Sequence, residues 1–478
     1  MAFPVEQENL FSYDLFPRVV RQGVETEITI RPLGVSGCFR PGKECTVIIK
    51  AIDGGKPEYF PISSDFQSIT CLCDETGVLR FRHTFTQEQE YFLDIPYTDS
   101  RGREKQERFC VYCVAPDLFG MFPYLGDLHI HTTYSDGSQS PEVVCANYRK
   151  QGYDFICITD HRRYYPSLEA MRFFEKLPVD LTILPGEEVH LPKAFDHFID
   201  PHMINLGGTY SVNAMIERDD VDNIPTDDLS RSLTGQCPPV MNQAEYERTL
   251  QAILDSRTFP QGVDPIPAAG MTWAFGEIRR SGGLAVFPHP YWIHDVFHIP
   301  RGLYDYLLEN RLFDVLEVLG GENYYEQNGF QTTRYYEDRA RGFRYPIVGS
   351  TDSHNSNPTN RNALICSTII FAPRNTREDL LEAVRSFRSV AVDTISREFR
   401  LVGDFRLVQY ACFLLRHYFP LHDELCFEEG RAMKQYVTGS GEEKQEALQV
   451  LNAIHGRTQR MRRKYFGFEE GSMGRNDS

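Results

Sequence analysis

The segment Gly126-Asp-Leu-His-Ile-His-Thr-Thr-Tyr-Ser-Asp-Gly137 contains residue types that bind divalent metals. Residues two apart in a β-strand face the same side, so Asp127, His129 and His131 are expected to project together. Imidazole groups that share one face at the end of a strand are natural metal ligands, and Asp136 follows in the turn. A single HxH pair also occurs by chance, so this segment alone does not establish a metal site.

Five further groups of histidine and carboxylate residues lie where an apolar run meets glycine or proline. An ordinary core histidine explains any one of them, but not the repeated coincidence of residue type and position. In α/β barrels and open α/β sheets the catalytic residues lie at the carboxyl ends of the strands. The groups are Thr159-Asp-His161, Pro185-Gly-Glu-Glu188, His202 before Met203-Ile-Asn-Leu206, Phe287-Pro-His-Pro290 and Gly349-Ser-Thr-Asp-Ser-His354.

The elements that carry these groups follow from the spacing of apolar residues. From about residue 125, short apolar runs alternate with helical segments, most clearly at 142–150, 273–281 and 377–386. This pattern predicts parallel βα units in a barrel or a doubly wound sheet. The first 120 residues instead alternate apolar and polar positions between glycines and prolines, which predicts an antiparallel β-sandwich.

We therefore predict three regions: a β-sandwich domain at 1–120, an α/β domain at 121–395 and a helical C-terminal extension at 396–478. The second region contains a long insertion at about 207–268 with an acidic start, and long irregular segments of this kind are often lids. The basic run from Arg457 to Lys464 is typical of a solvated helix face.

Composition restricts the partners. Lys and Arg number 50 against 67 Asp and Glu, a net charge of −17 that repels polyanions, so nucleic acid is an unfavoured partner. A small phosphorylated substrate stays compatible because bound metals offset local acidity. No signal peptide or membrane-spanning run is evident, and the CxxC pair Cys110–Cys113 has no second pair to complete a zinc site. We expect a cytoplasmic protein with reduced thiols.

Taken in order, the motifs DLHIHTTYSDG, TDH, GEE, HP and DSH resemble those of the polymerase and histidinol phosphatase (PHP) domain family. The resemblance covers about residues 124–395. It implies a distorted, TIM-like (β/α)7 barrel that binds two or three divalent metals, commonly zinc, manganese or iron. It also implies a hydrolase of the phosphoesterase type.

The resemblance assigns the ligands motif by motif, with Glu188 bridging two metals. Closely spaced metals need such a bridge to offset their repulsion, and mixed imidazole and carboxylate ligands suit zinc, manganese or iron. Two assignments stay open, because Glu187 could replace Glu188, and His190 or His197 could replace His202. The expected ligands are His129, His131, Glu188 and Asp352 for the first metal, Glu188, His202 and His289 for the second, and Asp136, His161 and His354 for the third.

The predicted reaction is in-line attack on phosphorus by a metal-activated hydroxide, with Glu188 and Asp352 in catalytic roles. The substrate is expected to be a small phosphomonoester or phosphodiester. Arg162, with Arg163 beside it, is the nearest candidate to bind the phosphate, and surface solvation is the competing interpretation.

Other candidates are less specific. His294 or His298 could protonate the leaving group, although they could equally belong to an aromatic loop that only packs, and Tyr134 could line the pocket. Alternatives to the phosphoesterase are a metal-dependent hydrolase of another ester or amide and a non-catalytic binding module. The N-terminal domain is expected to cap the site or mediate association, and a homo-oligomer is one option.

Overall fold

The computed structural model of this chain describes residues 10–34, 36, 38–61, 66–218, 231–320, 325–357, 366–393 and 400–468. These residues form two compact units. The first comprises the described parts of Met1–Phe122, Val408–Leu425 and Gly456–Ser478, and the second those of Pro123–Leu407 and Cys426–His455. Within the described ranges, no helix is long and apolar enough to cross a membrane.

The first unit contains eight short strands, which confirms the predicted β-rich N-terminal region. They form a three-stranded sheet, β1-β3-β6, and a five-stranded sheet, β2-β8-β7-β4-β5. Apolar side chains of both sheets share one buried core, to which Ile28, Val47 and Leu93 belong. The strands are β1 (Tyr13–Phe16), β2 (Val19–Arg21), β3 (Glu25–Pro32), β4 (Glu44–Ala51), β5 (Phe66–Leu72), β6 (Leu79–Thr84), β7 (Gln89–Thr98) and β8 (Glu104–Val114).

The second unit combines strands and helices, as the alternating pattern predicts. Its strands form a six-stranded sheet, a five-stranded sheet and a short hairpin. The strands are β9 (Phe122–Ile130), β10 (Phe155–Ile158), β11 (Thr182–Leu184), β12 (Gly186–Val189), β13 (Met203–Leu206), β14 (Leu284–Phe287), β15 (Ile293–His294), β16 (Val296–Phe297), β17 (Val315–Leu319), β18 (Ile347–Gly349), β19 (Cys366–Ala372), β20 (Ser389–Asp393) and β21 (Arg400–Val402).

The strand directions correct the expectation of uniformly parallel βα units. In the sheet β12-β13-β14-β17-β18, strand β13 runs antiparallel to both β12 and β14, and only the other pairs are parallel. The other sheet has the order β11-β10-β9-β19-β20-β21, and its last three strands are antiparallel. The mixed α/β class is therefore confirmed, whereas the described strands form two open sheets and not one closed sheet of seven.

Each of the two sheets contains an irregular strand pair. The register shifts between Ile156 and Ile158 where β10 pairs with β9, and between Glu317 and Leu319 where β17 pairs with β18. Such shifts interrupt the ladder of hydrogen bonds and bend the strands. Two isolated bridges continue the pairing beyond the strands, Ile130 with Ser353 and His161 with Glu188.

Helices connect most of these strands. All three clearest predicted helices are present, but the second begins at Pro265 and not at residue 273. Asp264 caps it by accepting a hydrogen bond from the Ile266 backbone N–H at 3.1 Å, a start signal that lies outside the apolar run. The helices are α1 (Pro141–Lys150), α2 (Tyr165–Phe174), α3 (Gln243–Ser256), α4 (Pro265–Arg280), α5 (Arg301–Glu309), α6 (Tyr325–Ala340), α7 (Arg377–Arg385), α8 (Phe405–His417), α9 (Phe419–Thr438), α10 (Gly441–Ile454) and α11 (Arg457–Phe466).

The predicted insertion is described in part. Its described residues include a 3-10 turn, Asn213–Met215, and α3. Residues 219–230, which include most of the acidic stretch, lie outside the described ranges. The lid therefore stays a prediction.

Candidate metal centre

The histidine and carboxylate groups meet at one edge of the strands. His131 follows the last residue of β9, Glu188 is the third residue of β12, and Asp352 follows β18 by three positions. His202 directly precedes β13, and because that strand is antiparallel to its neighbours, its start lies where β12 and β14 end. The residues of the motifs therefore lie together at the strand edge where the sequence predicts a site.

Glu188 lies at the middle of the cluster and is fully buried. Its two carboxylate oxygens lie within 3.6 Å of ring nitrogens from six different histidines. The distances are 2.5 Å to His161 Nδ1, 2.8 Å to His202 Nδ1, 3.4 Å to His289 Nε2, and 3.6 Å each to His129 Nε2, His131 Nε2 and His190 Nε2. Such a carboxylate can bridge metals that are held by different histidines.

Asp352 completes one part of the cluster. Its Oδ1 atom lies 2.9 Å from His131 Nε2 and 3.2 Å from His129 Nε2. The ligand atoms of these three residues are close enough to hold one ion. Asp352 adopts a φ of 52°, as do Arg162 at 63° and His289 at 25°, so three non-glycine residues of the site have left-handed backbones. Strain of this kind is typical of functional sites.

Asp136 organises the opposite part. Its carboxylate lies 3.3 Å from His354 Nε2, 3.5 Å from His161 Nε2 and 4.0 Å from His131 Nδ1. The four side chains form a second group that could hold an ion. The structure therefore brings all nine predicted ligands into one cluster: His129, His131, Asp136, His161, Glu188, His202, His289, Asp352 and His354.

The donor atoms fit divalent metals. Several buried atoms of the cluster form no hydrogen bond of good geometry among the described residues, despite short distances to other ligand atoms, and such atoms are costly unless something binds them. They include nitrogens of four histidines together with a carboxylate oxygen, a set that suits zinc, manganese or iron. The atoms are His129 Nε2, His131 Nδ1, His202 Nδ1, His289 Nδ1 and Glu188 Oε2.

Opposite charges in the cluster shift the pKa values of the carboxylates and the histidines. Burial alone would raise the pKa of Glu188, but the charges of the surrounding histidines, His202 first, lower it well below its usual range. Burial opposes protonation of His129, yet the charges of Asp352 and Glu188 raise its pKa well above its usual range. Histidines that retain protons without metal must release them when a metal binds, so metal affinity is expected to rise with pH.

Sequence reasoning missed Glu317, which supports two ligands. His129 Nδ1 donates to Glu317 Oε2 at 3.0 Å, and the His289 backbone N–H donates to Glu317 Oε1 at 3.0 Å. The first contact leaves His129 Nε2 directed at the cluster, and carboxylates that hold a ligand histidine in this way raise its basicity. The available signal was a glutamate inside the apolar run Val315-Leu-Glu-Val-Leu319.

Asp127 belongs to the framework and does not join the cluster. It is fully buried and accepts hydrogen bonds from the Tyr148 hydroxyl at 3.0 Å and from the Thr351 hydroxyl at 2.5 Å. Burial raises its pKa to about 6. These contacts join β9 to α1 and to the segment that carries Asp352, so Asp127 fixes the position of the ligands without binding metal itself.

The geometry separates the alternatives that the sequence left open. Glu187 faces away from the histidines, and its carboxylate accepts hydrogen bonds from Asn205, Ser211, Asn213 and the Val212 backbone. His197 is exposed and pairs through its backbone with Ala194. His190 lies beside His202 in the cluster, 2.8 Å from His161 Nδ1, so it is a further candidate ligand and not a replacement.

Of the residues proposed to bind phosphate or to line the pocket, Arg162 is joined to a ligand, whereas Arg163 and Tyr134 contact other residues. The backbone N–H of Arg162 donates to the carbonyl of Glu188 at 2.9 Å, and the residue lines a cavity together with His190. The side chain of Arg163 hydrogen-bonds to Tyr165, and that of Tyr134 to Glu169, so neither is committed to the cluster.

The loop after His289 brings His298 close to the ligands. The ring of His298 lies 5.0 Å from that of His202, and its Nδ1 lies 3.6 Å from Asp200. Burial, together with the charge of His202, lowers the pKa of His298 to about 4. His294 ends β15, and its side chain lies outside the described part of the structure, so its acid role stays a prediction.

The part of the chain that contains several of these ligands is similar to known proteins. Residues 127–253 match the PHP domain family. Over 92 residues the chain is 33% identical to the DNA polymerase/3'-5' exonuclease PolX of Bacillus subtilis (strain 168), a match that covers 19% of this chain and only 16% of that protein.

Two solved structures share 18% identity with the chain. One is a two-domain protein containing a predicted PHP-like metal-dependent phosphoesterase from Bacteroides vulgatus, for which the match covers 62% of this chain and 70% of that chain with a TM-score of 0.39. The other is an amidohydrolase from Chromobacterium violaceum with bound sulfate and no metal, with coverages of 48% and 87% and a TM-score of 0.29. The family match, which spans the ligands from His129 to His202, identifies this part of the chain as a PHP domain.

Proposed function

We propose that the chain is a metal-dependent phosphoesterase that hydrolyses a small phosphomonoester or phosphodiester. The observation that carries this proposal is the set of six histidine nitrogens within 3.6 Å of the buried Glu188 carboxylate. So many histidines around one buried carboxylate would destabilise an ordinary core, because buried polar atoms without hydrogen bonds cost free energy.

The proposed cofactors are two or three divalent ions, zinc, manganese or iron, held by the nine clustered residues with His190 as a further candidate. When bound, these ions would supply a nucleophilic water near neutral pH and neutralise charge on the phosphoryl oxygens. The chain itself holds the imidazoles in position. Glu317 fixes His129, and the burial of His129, Glu188 and His289 strengthens the charge interactions among these residues.

Arg162 supports phosphate as the group that is attacked. Its backbone N–H donates to the carbonyl of Glu188, and the residue lines the adjoining cavity, so this arginine belongs to a segment that is joined directly to a metal ligand. A guanidinium forms charge-assisted hydrogen bonds with phosphate oxygens, whereas a neutral ester has no charge for it to bind. This favours phosphoester over carboxylic ester or amide substrates.

We also propose that the two open sheets of the second unit constitute the distorted (β/α)7 barrel. The bridges between Ile130 and Ser353 and between His161 and Glu188 support this, because they join strands of different sheets at the edge that carries the ligands. The three-region organisation, the cytoplasmic location and a homo-oligomer remain proposals of the same kind.

A second candidate is hydrolysis of phosphodiester bonds in nucleic acid. The 33% identity over 92 residues to PolX, whose name includes a 3'-5' exonuclease, favours it. The net charge of −17 opposes it, because a polyanionic substrate would be repelled. The same experiment can distinguish the two.

The test compares four substrates with protein loaded with manganese or zinc: an aryl phosphomonoester, an aryl phosphodiester, a single-stranded DNA oligonucleotide and an aryl acetate. Turnover of either small phosphoester is expected, and a His129→Ala, His131→Ala double variant should lose it. His197→Ala, which removes an exposed histidine, is the matched control and should retain it. Turnover of DNA alone would establish the second candidate, and turnover of the acetate alone would contradict both.

A further inference from the structure

A cavity of about 720 Å³ adjoins the metal centre. Its wall includes His190, whose Nε2 lies 3.6 Å from Glu188 Oε2, and Arg162, whose backbone N–H donates to the carbonyl of Glu188. The cavity therefore begins at the ligands. Its volume is in the range of pockets that enclose drug-sized organic molecules, so it has room for much more than the phosphoryl group.

The lining of the cavity carries cations in a chain that is otherwise acidic. Lys193 and Arg218 lie there in addition to Arg162, against the two acids Asp200 and Glu217. The Asp200 carboxylate lies 3.6 Å from His298 Nδ1, so it already has a polar neighbour. In a protein of net charge −17, a local excess of positive side chains points to an anionic ligand.

These cations are held in position. The guanidinium of Arg218 donates to the carbonyl of His190, beside the metal centre. The carbonyl of Lys193 accepts a hydrogen bond from Gln243 Nε2 at 2.8 Å, which ties this segment to the start of α3. Both Arg218 and α3 come from the insertion at 207–268, so the insertion contributes to the cavity wall.

The wall also offers an aromatic surface. Phe198 is 73% exposed, which is unusual for so large an apolar side chain. The ammonium group of Lys193 lies 3.9 Å from the centroid of its ring, and Leu191, Pro192 and Ile199 extend the apolar surface. A planar apolar group with an anionic substituent would contact the ring and the cation together.

We propose that the substrate is a phosphoester whose leaving group carries a planar apolar part and a second anionic group, and that Lys193 and Arg218 bind that second group. The inference rests on the proposed function for the place of the phosphoryl group at the metals. It assigns substrate selection to the segment after β12 and to the insertion.

The test measures binding, so that it does not depend on turnover. Phenylphosphonate, 4-carboxyphenylphosphonate and benzene-1,4-diphosphonate are titrated calorimetrically into metal-loaded protein. The doubly anionic probes should bind about tenfold more tightly than phenylphosphonate, the effect of one added charge-assisted contact. Whichever of the two doubly anionic probes binds more tightly shows whether the second anionic group of the substrate is a carboxylate or a phosphate.

Lys193→Met should abolish most of this preference and change the affinity for phenylphosphonate less than about twofold. Arg218→Gln should also reduce the preference. Lys444→Met is the matched control, because Lys444 is an exposed lysine whose ammonium lies 5.6 Å from the ring centroid of Tyr436, away from the cavity.

Equal affinity for the three phosphonates, no binding of any of them, or an unchanged preference in both cavity variants would overturn the inference. Selective binding by a protein that hydrolyses no phosphoester would contradict the proposed function alone. Turnover of a phosphoester without selectivity among the phosphonates would contradict this inference and leave the proposed function standing.

Discussion

Glu187→Gln and Glu188→Gln replace neighbouring carboxylates of β12 that face opposite sides of the strand. We expect the first to lower the free energy of unfolding and the second to abolish tight metal binding. Both substitutions preserve size and remove one negative charge. Any difference between them therefore reports on where each side chain points.

The cost of Glu187→Gln follows from its four donors. Asn205 Nδ2 and the Val212 backbone N–H donate to one oxygen, and Ser211 Oγ and Asn213 Nδ2 to the other. Glutamine keeps one acceptor oxygen and places an amide N–H₂ group against the other two donors. Each lost hydrogen bond to a buried charged group costs about 1.5–3 kcal/mol, so the free energy of unfolding should fall by about 3–6 kcal/mol.

The effect of Glu188→Gln follows from its place among the histidines. Loss of a carboxylate that only supports a ligand typically weakens metal binding 10–100-fold, and loss of a bridging ligand should exceed about 100-fold. At a metal concentration 100 times the dissociation constant, the parent protein gains about 2.7 kcal/mol of stability. A 100-fold weaker site should gain only about 0.4 kcal/mol at the same concentration.

The assay is urea unfolding at pH 8 with and without manganese or zinc, a high pH being chosen because burial raises the pKa of Glu187. Metal should stabilise the parent and Glu187→Gln alike, although the latter starts from a lower value. Glu188→Gln should gain almost nothing from metal. If Glu187→Gln lost the metal effect and Glu188→Gln retained it, Glu187 would be the ligand and our reading of the strand would be wrong.

Two other predictions concern support for the site and the acid sensitivity of the first unit. Glu317→Gln should weaken metal binding 10–100-fold, because His129 loses the acceptor of its Nδ1 proton; an unchanged dissociation constant in calorimetry would contradict this. Asp94→Asn should lower the free energy of unfolding at pH 7 by about 2 kcal/mol, less than for a fully buried pair because Lys50 and Arg108 are partly exposed. Burial opposes ionisation of Asp94, but those cations lower its pKa, so its contribution is present above about pH 4 and is lost as the pH falls; a difference from the parent that persists undiminished at pH 2 would refute it.

The ligands could be predicted because each belongs to a short motif at the end of an apolar run. Sequence separation does not obscure such motifs: His129 and Asp352 are 223 residues apart, yet each is recognisable within its own few residues. Glu317 has no motif of this kind. It lies inside a buried strand, and its function depends on contacts with His129 and His289 that only the assembled fold creates.

The direction of β13 could not be predicted from its residue types, but it follows from the assignment of His202 as a metal ligand. A short run such as Met203–Leu206, which is buried at all four positions, does not indicate the direction of its strand, so the expectation of parallel βα units applied to β13 as well. His202, however, precedes that run, and in a parallel strand it would lie at the edge opposite to Glu188 and His289. Only an antiparallel β13 places His202 Nδ1 2.8 Å from Glu188. The choice of His202 as a ligand and the expectation of uniformly parallel strands were therefore incompatible, and the chemistry of the site was the better guide to the fold.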